Sequence, residues 1–117
     1  MREGLKDKAR LQHIRDAIVE IEQYVRGITL DDFFEDSKTR FATIKQLEII
    51  GEAVDHVDPN LLNEYTEIEW RAIKAFRNVM VHEYFSVNLE TVWNTVFEDL
   101  PPLKATVERM LKKIDGA

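Results

Sequence analysis

Eight consecutive residues, Arg77-Asn78-Val79-Met80-Val81-His82-Glu83-Tyr84, bring a guanidinium, an amide, an imidazole and a phenol together at the end of an otherwise apolar helical pattern. Arginine is permanently cationic and forks onto phosphate oxygens. Histidine is the side chain that gives or takes a proton near neutral pH. The pair suits chemistry on a phosphate, with Arg77 countering charge and His82 moving a proton. Asn78 lies one turn before His82 and can orient its ring. Taken alone, an arginine and a histidine on one helix are more often a surface ion pair and a hydrogen-bonded imidazole. Likewise, a tyrosine such as Tyr84 is more often a packing residue with its hydroxyl at the rim.

Helix geometry constrains how these groups meet. Five residues place Arg77 and His82 about 140° apart on a regular helix. They converge only if the helix loosens near Val81, or if two copies related by a twofold axis bring two motifs into one cleft. On the same projection Ile68, Ala72, Ala75, Phe76 and Val79 form one apolar stripe. Trp70, Ile73, Val81 and Tyr84 form a second, with Arg77 in its middle. Two apolar stripes need two covers: the core for one, and a subunit interface, a groove or the bundle centre for the other.

The elements that must position this motif are read from apolar spacing. Leu11, Ile14, Ile18, Ile21 and Val25 repeat at three and four residues, and Gly27 stops that helix. After the acidic joint 31–36, with Ser37 as a possible cap, the period resumes through Phe41, Ile44, Leu47, Val54 and Val57. Asp58-Pro59 ends this second helix and starts a short helical turn through Leu61 and Leu62, since proline suits a first helical position. Thr66-x-x-Glu69 fits a capping box opening the motif helix, which is expected to run to about Glu83. Asn88 caps a helix from Leu89 to Leu100, and Pro101-Pro102 forces a kink or short break before Leu103 to Ile114. The expectation is an all-α fold, an antiparallel bundle of four to five helices in a single domain over residues 1–117.

Composition sets limits on function. The 117-residue chain has no cysteine, so neither a disulfide framework nor a thiolate metal site is available, and an intracellular setting follows more easily than a secreted one. No hydrophobic signal segment opens the chain and no apolar run is long enough for a membrane, so the reading is cytoplasmic and soluble. The net charge is −6, and residues 31–70 hold three Lys/Arg against eleven Asp/Glu. That excludes a protein that coats RNA through uniform positive charge. The acidic stretch is either solvated surface or a face that meets a basic partner.

With these words in place, the chain resembles the HEPN superfamily, and more closely its HepT-like branch, because Tyr84 completes Arg-x-x-x-x-His-x-Tyr. Ile49-Ile50-Gly51-Glu52-Ala53, Trp70-Arg71 and Asp99-Leu100-Pro101 are similar to the same branch, and the likeness runs from about Leu11 to Ile114. The resemblance implies a helical homodimer that is a metal-independent endoribonuclease, the toxin of a type VII-like toxin–antitoxin pair. It further implies a minimal nucleotidyltransferase antitoxin that adds AMP to the motif tyrosine. Carried over by position, Arg77 and His82 are catalytic, Asn78 supports them and Tyr84 is the modification site, with RNA as substrate and no cofactor. The competing class is a non-catalytic dimerisation or adaptor module that keeps the motif as an anion- or nucleotide-binding site.

Other residues carry quieter expectations. Glu48 and Glu52, one turn apart, read as solvated helix charge. Gly51 inside a helix points to close contact with another helix, since glycine there costs up to about 1 kcal/mol relative to alanine. Trp70, Trp93 and Phe97 read as core or interface. His13 and His56 are isolated and lack the spacing of a metal set, so no metal is assigned. Lys104, Arg109, Lys112 and Lys113 suit either phosphate contacts or a solvated last helix.

Overall fold

The computed structural model describes residues 2–77 and 88–116, and every regular element in that range is helical. Helix α1 spans Arg2–Val25. Its face of Leu11, Ile14, Ile18 and Ile21 is fully buried, as the three-and-four spacing requires. It starts well before Leu11, where the apolar repeat first shows. Gly27 ends it with φ 75°, a left-handed conformation open to glycine at little cost.

The acidic joint holds an element that the apolar period does not reveal. Helix α2, Leu30–Glu35, is closed at its start by a reciprocal capping box. The Asp32 amide donates to the Thr29 hydroxyl at 3.1 Å, and the Thr29 amide to the Asp32 carboxylate at 3.0 Å. Its one buried side chain, Phe33, meets the Trp93 ring at 5.3 Å. Helix α3, Ser37–Asp55, is capped by Asp36, not by Ser37, through the Thr39 amide at 3.2 Å. Ile44, Leu47 and Val54 are buried as expected, with Val57 just beyond the helix, whereas Phe41 is 47% exposed. The Asp58-Pro59 turn is present as α4, Pro59–Leu62.

The motif helix opens later than its sequence suggests. Helix α5 is Trp70–Lys74, and Glu69 makes no side-chain cap. Residues 66–68 form turns instead, which tuck Tyr65 and Ile68 into the core. The Trp70 indole donates to the Tyr65 carbonyl at 2.9 Å, and Glu67 turns away to Arg109 at 2.8 Å. These tertiary contacts outweigh a local cap worth about 1 kcal/mol. A turn at Ala75 follows, so the ideal projection does not hold. Ile68, Ile73 and Phe76 are buried together although it assigns them to different stripes.

Asn88 caps α6, Leu89–Asn94, accepting from the Thr91 amide at 3.2 Å. A π-helical segment, Thr95–Asp99, joins it directly to α7, Leu100–Gly116. The short break expected at Pro101-Pro102 is absent, since the helix runs through both prolines and the irregular segment lies before them. A helical proline ring clashes with the carbonyl four residues earlier, and those residues, Phe97 and Glu98, lie inside the π segment where bonding has shifted by one position. The helix therefore continues through the prolines, although neither has an N–H to donate. Helix α1 packs on α3 and α7, α3 on α5, and α2 on α3 and α6, giving an all-α bundle around one cluster of buried side chains. No helix among the described residues is long and apolar enough to cross a membrane.

One buried group departs from this economy. Thr43 on α3 is fully buried, and its hydroxyl has no hydrogen-bond partner among the described residues. Thr43→Val removes the orphan while keeping the shape. It is expected to raise stability by about 1–2 kcal/mol in urea unfolding.

Candidate functional site

Arg77 is the first described half of the motif, two residues beyond the Ala75 turn. Gly51 on α3 explains how its backbone comes so near. A Cβ placed there would lie 2.6 Å from the Arg77 amide nitrogen, 3.1 Å from the Ile73 carbonyl oxygen and 3.2 Å from that of Lys74. Only a residue without a side chain lets α3 and the motif segment approach this closely. The expected helix contact at Gly51 is thus present, at the arginine itself.

The close approach brings two α3 carboxylates to the guanidinium. Arg77 Nη1 donates to Asp55 Oδ2 at 2.9 Å and to Glu52 Oε2 at 3.2 Å. The arginine side chain keeps 37% exposure, so it is pinned but open. The Glu52 hydrogen bond, followed by the Asp55 charge, raises its pKa above the usual arginine value. Arg77 therefore remains cationic throughout the working pH range. Glu52 is not merely solvated charge, as its spacing from Glu48 suggests. Asp55 carries no motif signal at all. A signal for both was present in Gly51, because a glycine inside a helix marks where a second backbone comes close, and carboxylates one and four positions later flank that place.

Asn78, His82 and Tyr84 lie outside the described residues, so the structure places only Arg77 among the four motif side chains. Two residues isolated in sequence do come together. His13 on α1 and His56 just past α3 share a groove of about 370 Å³ with Arg10 and Lys45, and Glu52 forms part of its wall. His56 Nδ1 sits 2.9 Å from the Glu52 carbonyl oxygen. Among the described residues no group of three or more His, Asp or Glu is arranged to hold a metal ion.

The last-helix cations are largely engaged. Lys104 pairs with Glu22 at 2.9 Å, Arg109 with Glu67 at 2.8 Å and Lys113 with Glu64 at 3.9 Å. Arg109 also lies over the Tyr65 ring, 5.7 Å from its centroid. Trp93 packs against both Phe33 and Phe97, with ring centroids at 5.3 and 4.6 Å. Trp70 is half-buried against the core, while Phe97 remains 50% exposed.

Fold and site together define a helical bundle that presents an arginine braced by carboxylates at the start of an Arg-x-x-x-x-His segment. The comparisons agree with that class. The family described as "Ribonuclease HepT-like" matches residues 14–110, and the chain belongs to it. It is similar to a Thermococcus cleftensis protein provisionally named ribonuclease HepT, with 41% identity over 105 residues, covering 90% of this chain and 96% of the relative. A Methanocaldococcus jannaschii protein provisionally named an RNase is 32% identical over 109 residues, covering 93% of this chain and 90% of its own. A third, from Caldanaerobacter subterraneus and also provisionally named an RNase, is 33% identical over 103 residues, covering 88% and 92%. No solved structure matches the chain.

Proposed function

We propose that the protein is a metal-independent endoribonuclease, a cytoplasmic toxin that acts as a homodimer of single-domain chains and is silenced by AMP addition to Tyr84. The observation that carries this reading is Arg77, cationic and open, at the head of the Arg77-Asn78-His82-Tyr84 motif in a chain of the HepT-like family. Its relatives' ribonuclease names support RNA as the substrate.

In this reaction the ribose 2′-hydroxyl attacks the adjacent phosphorus and the 5′-oxygen leaves. The products are a 2′,3′-cyclic phosphate and a free 5′-hydroxyl. His82 takes the attacking proton or delivers one to the leaving oxygen, and the second role falls to the partner copy's motif, Tyr84 or water. Arg77 counters the charge that builds on the phosphorane oxygens. Asn78 orients the imidazole. A nucleotidyltransferase antitoxin would join the Tyr84 oxygen to the α-phosphorus of ATP and release pyrophosphate. The new phosphodiester anion beside Arg77 would then compete with RNA by charge and bulk. The acidic 31–70 stretch is the proposed docking face for that enzyme.

The test uses pure protein and a defined RNA in EDTA. The wild type is expected to cleave it and leave a cyclic phosphate, His82→Ala to lose activity by at least about a hundredfold, and light scattering to report twice 13.7 kDa. Prior incubation with a partner nucleotidyltransferase, ATP and magnesium should add one AMP to the wild type, none to Tyr84→Phe, and stop cleavage. Wild-type activity in His82→Ala would overturn the nuclease assignment in favour of an adaptor that only binds anions. Undiminished cleavage by fully AMP-modified protein would overturn the control mechanism.

A further inference from the structure

We propose that Glu52 and Asp55 are positioning residues for Arg77, turning its guanidinium so that the Nε–Nη2 edge meets the scissile phosphate. The inference rests on the ribonuclease reading and adds residues that the motif does not contain. Glu52 and Asp55 are three apart on α3, hence on one face of the helix, and Gly51 holds that face against the backbone of Arg77. A guanidinium has five N–H donors in a planar fork. Both carboxylates take their bonds from Nη1, at 3.2 and 2.9 Å. The three N–H groups on Nε and Nη2 make no bond to the described residues. Two of them lie parallel along one edge, the geometry that grips a phosphate through two bonds.

Electrostatics separates this role from simple attraction. Two carboxylates around one guanidinium leave the site one negative charge in excess, which opposes binding of an RNA phosphate. The arrangement therefore weakens ground-state attraction while fixing orientation, and orientation acts on the chemical step. A displacement of about 1 Å at such a group can cost about a hundredfold in rate.

The experiment compares the wild type with the double variant Glu52→Ala/Asp55→Ala on one oligoribonucleotide, and follows the Arg77 Nε–Hε signal by NMR, assigned through Arg77→Lys. The double variant is expected to lose roughly 10–100-fold in kcat, with KM unchanged or lower because the repelling charges are gone. General damage to the fold would not lower KM. Glu52→Gln/Asp55→Asn, which keeps two acceptor oxygens, should recover part of kcat. The Arg77 signal should report a restrained guanidinium in the wild type and an averaged one in the alanine variant. A kcat that stays the same or rises in the alanine variant overturns the proposal, as does an Arg77 signal that does not change. If the wild type cleaves no RNA, the nuclease reading fails, and the NMR comparison alone still decides whether the carboxylates orient Arg77.

Discussion

Arg77→Lys is expected to lower RNA cleavage at least about a hundredfold while leaving the unfolding midpoint unchanged. The charge survives the substitution, so any loss belongs to geometry. A lysine ammonium is a compact point with three donors, and near α3 it would sit between Glu52 and Asp55, which hold Arg77 at 3.2 and 2.9 Å. With its donors drawn inward, it has no second edge to turn towards a phosphate. Stability should not move because all three side chains are more than a third exposed, and such surface pairs contribute little. The check is kcat/KM on a single oligoribonucleotide beside a denaturant titration. Cleavage within threefold of the wild type would mean that Arg77 supplies only charge.

The second large effect is expected at a residue with no side chain. Gly51→Ala would gain up to about 1 kcal/mol from helix propensity if nothing opposed it. Here the added methyl meets the Arg77 nitrogen at 2.6 Å and the Ile73 and Lys74 carbonyl oxygens at 3.1 and 3.2 Å. All three are backbone atoms, which cannot swing aside as a side chain can. Either α3 or the motif segment must move, so a net loss of about 1–3 kcal/mol is expected. Because the nearest atom belongs to Arg77, cleavage should fall more than tenfold even at temperatures where the variant is fully folded. Urea unfolding and activity measured together test this. A variant as stable and active as the wild type would show that the close approach has no function.

What could be read in the sequence, and what could not, divides along a physical line. Apolar periodicity revealed α1, α3 and the last helices because each buries a long stripe, and the Gly27, Asp58-Pro59 and Asn88 signals held where local chemistry alone decides. Helix α2 escaped because a six-residue element held by the Thr29–Asp32 box buries only Phe33, too little to create a period. Thr66 and Glu69 misled for the opposite reason: their local pattern is sound, yet the burial of Tyr65 and Ile68 prevails over it. At the site, Arg77 was legible by type and spacing. Glu52 and Asp55 were not legible by type, since a carboxylate on a polar helix face looks the same in sequence whether it meets water or an arginine 25 or 22 residues away, and only the neighbouring Gly51 marked the place.

The π segment also acts as a phase shifter. Val92, Val96 and Leu100 face the core at two successive intervals of four, a spacing that would drift around a regular helix, and Leu103, Val107 and Leu111 carry the buried face onward. One residue held in a wider turn absorbs the drift and keeps both halves of the 89–116 helix aimed at the same interior. Winding the same five residues, Thr95–Asp99, as a regular α-helix would rotate everything beyond them by about 100°. Leu103 and Val107 would swing towards water, and Lys104 would leave Glu22, so the wide winding of this stretch is under tighter constraint than the identity of exposed Glu98 or Asp99 within it.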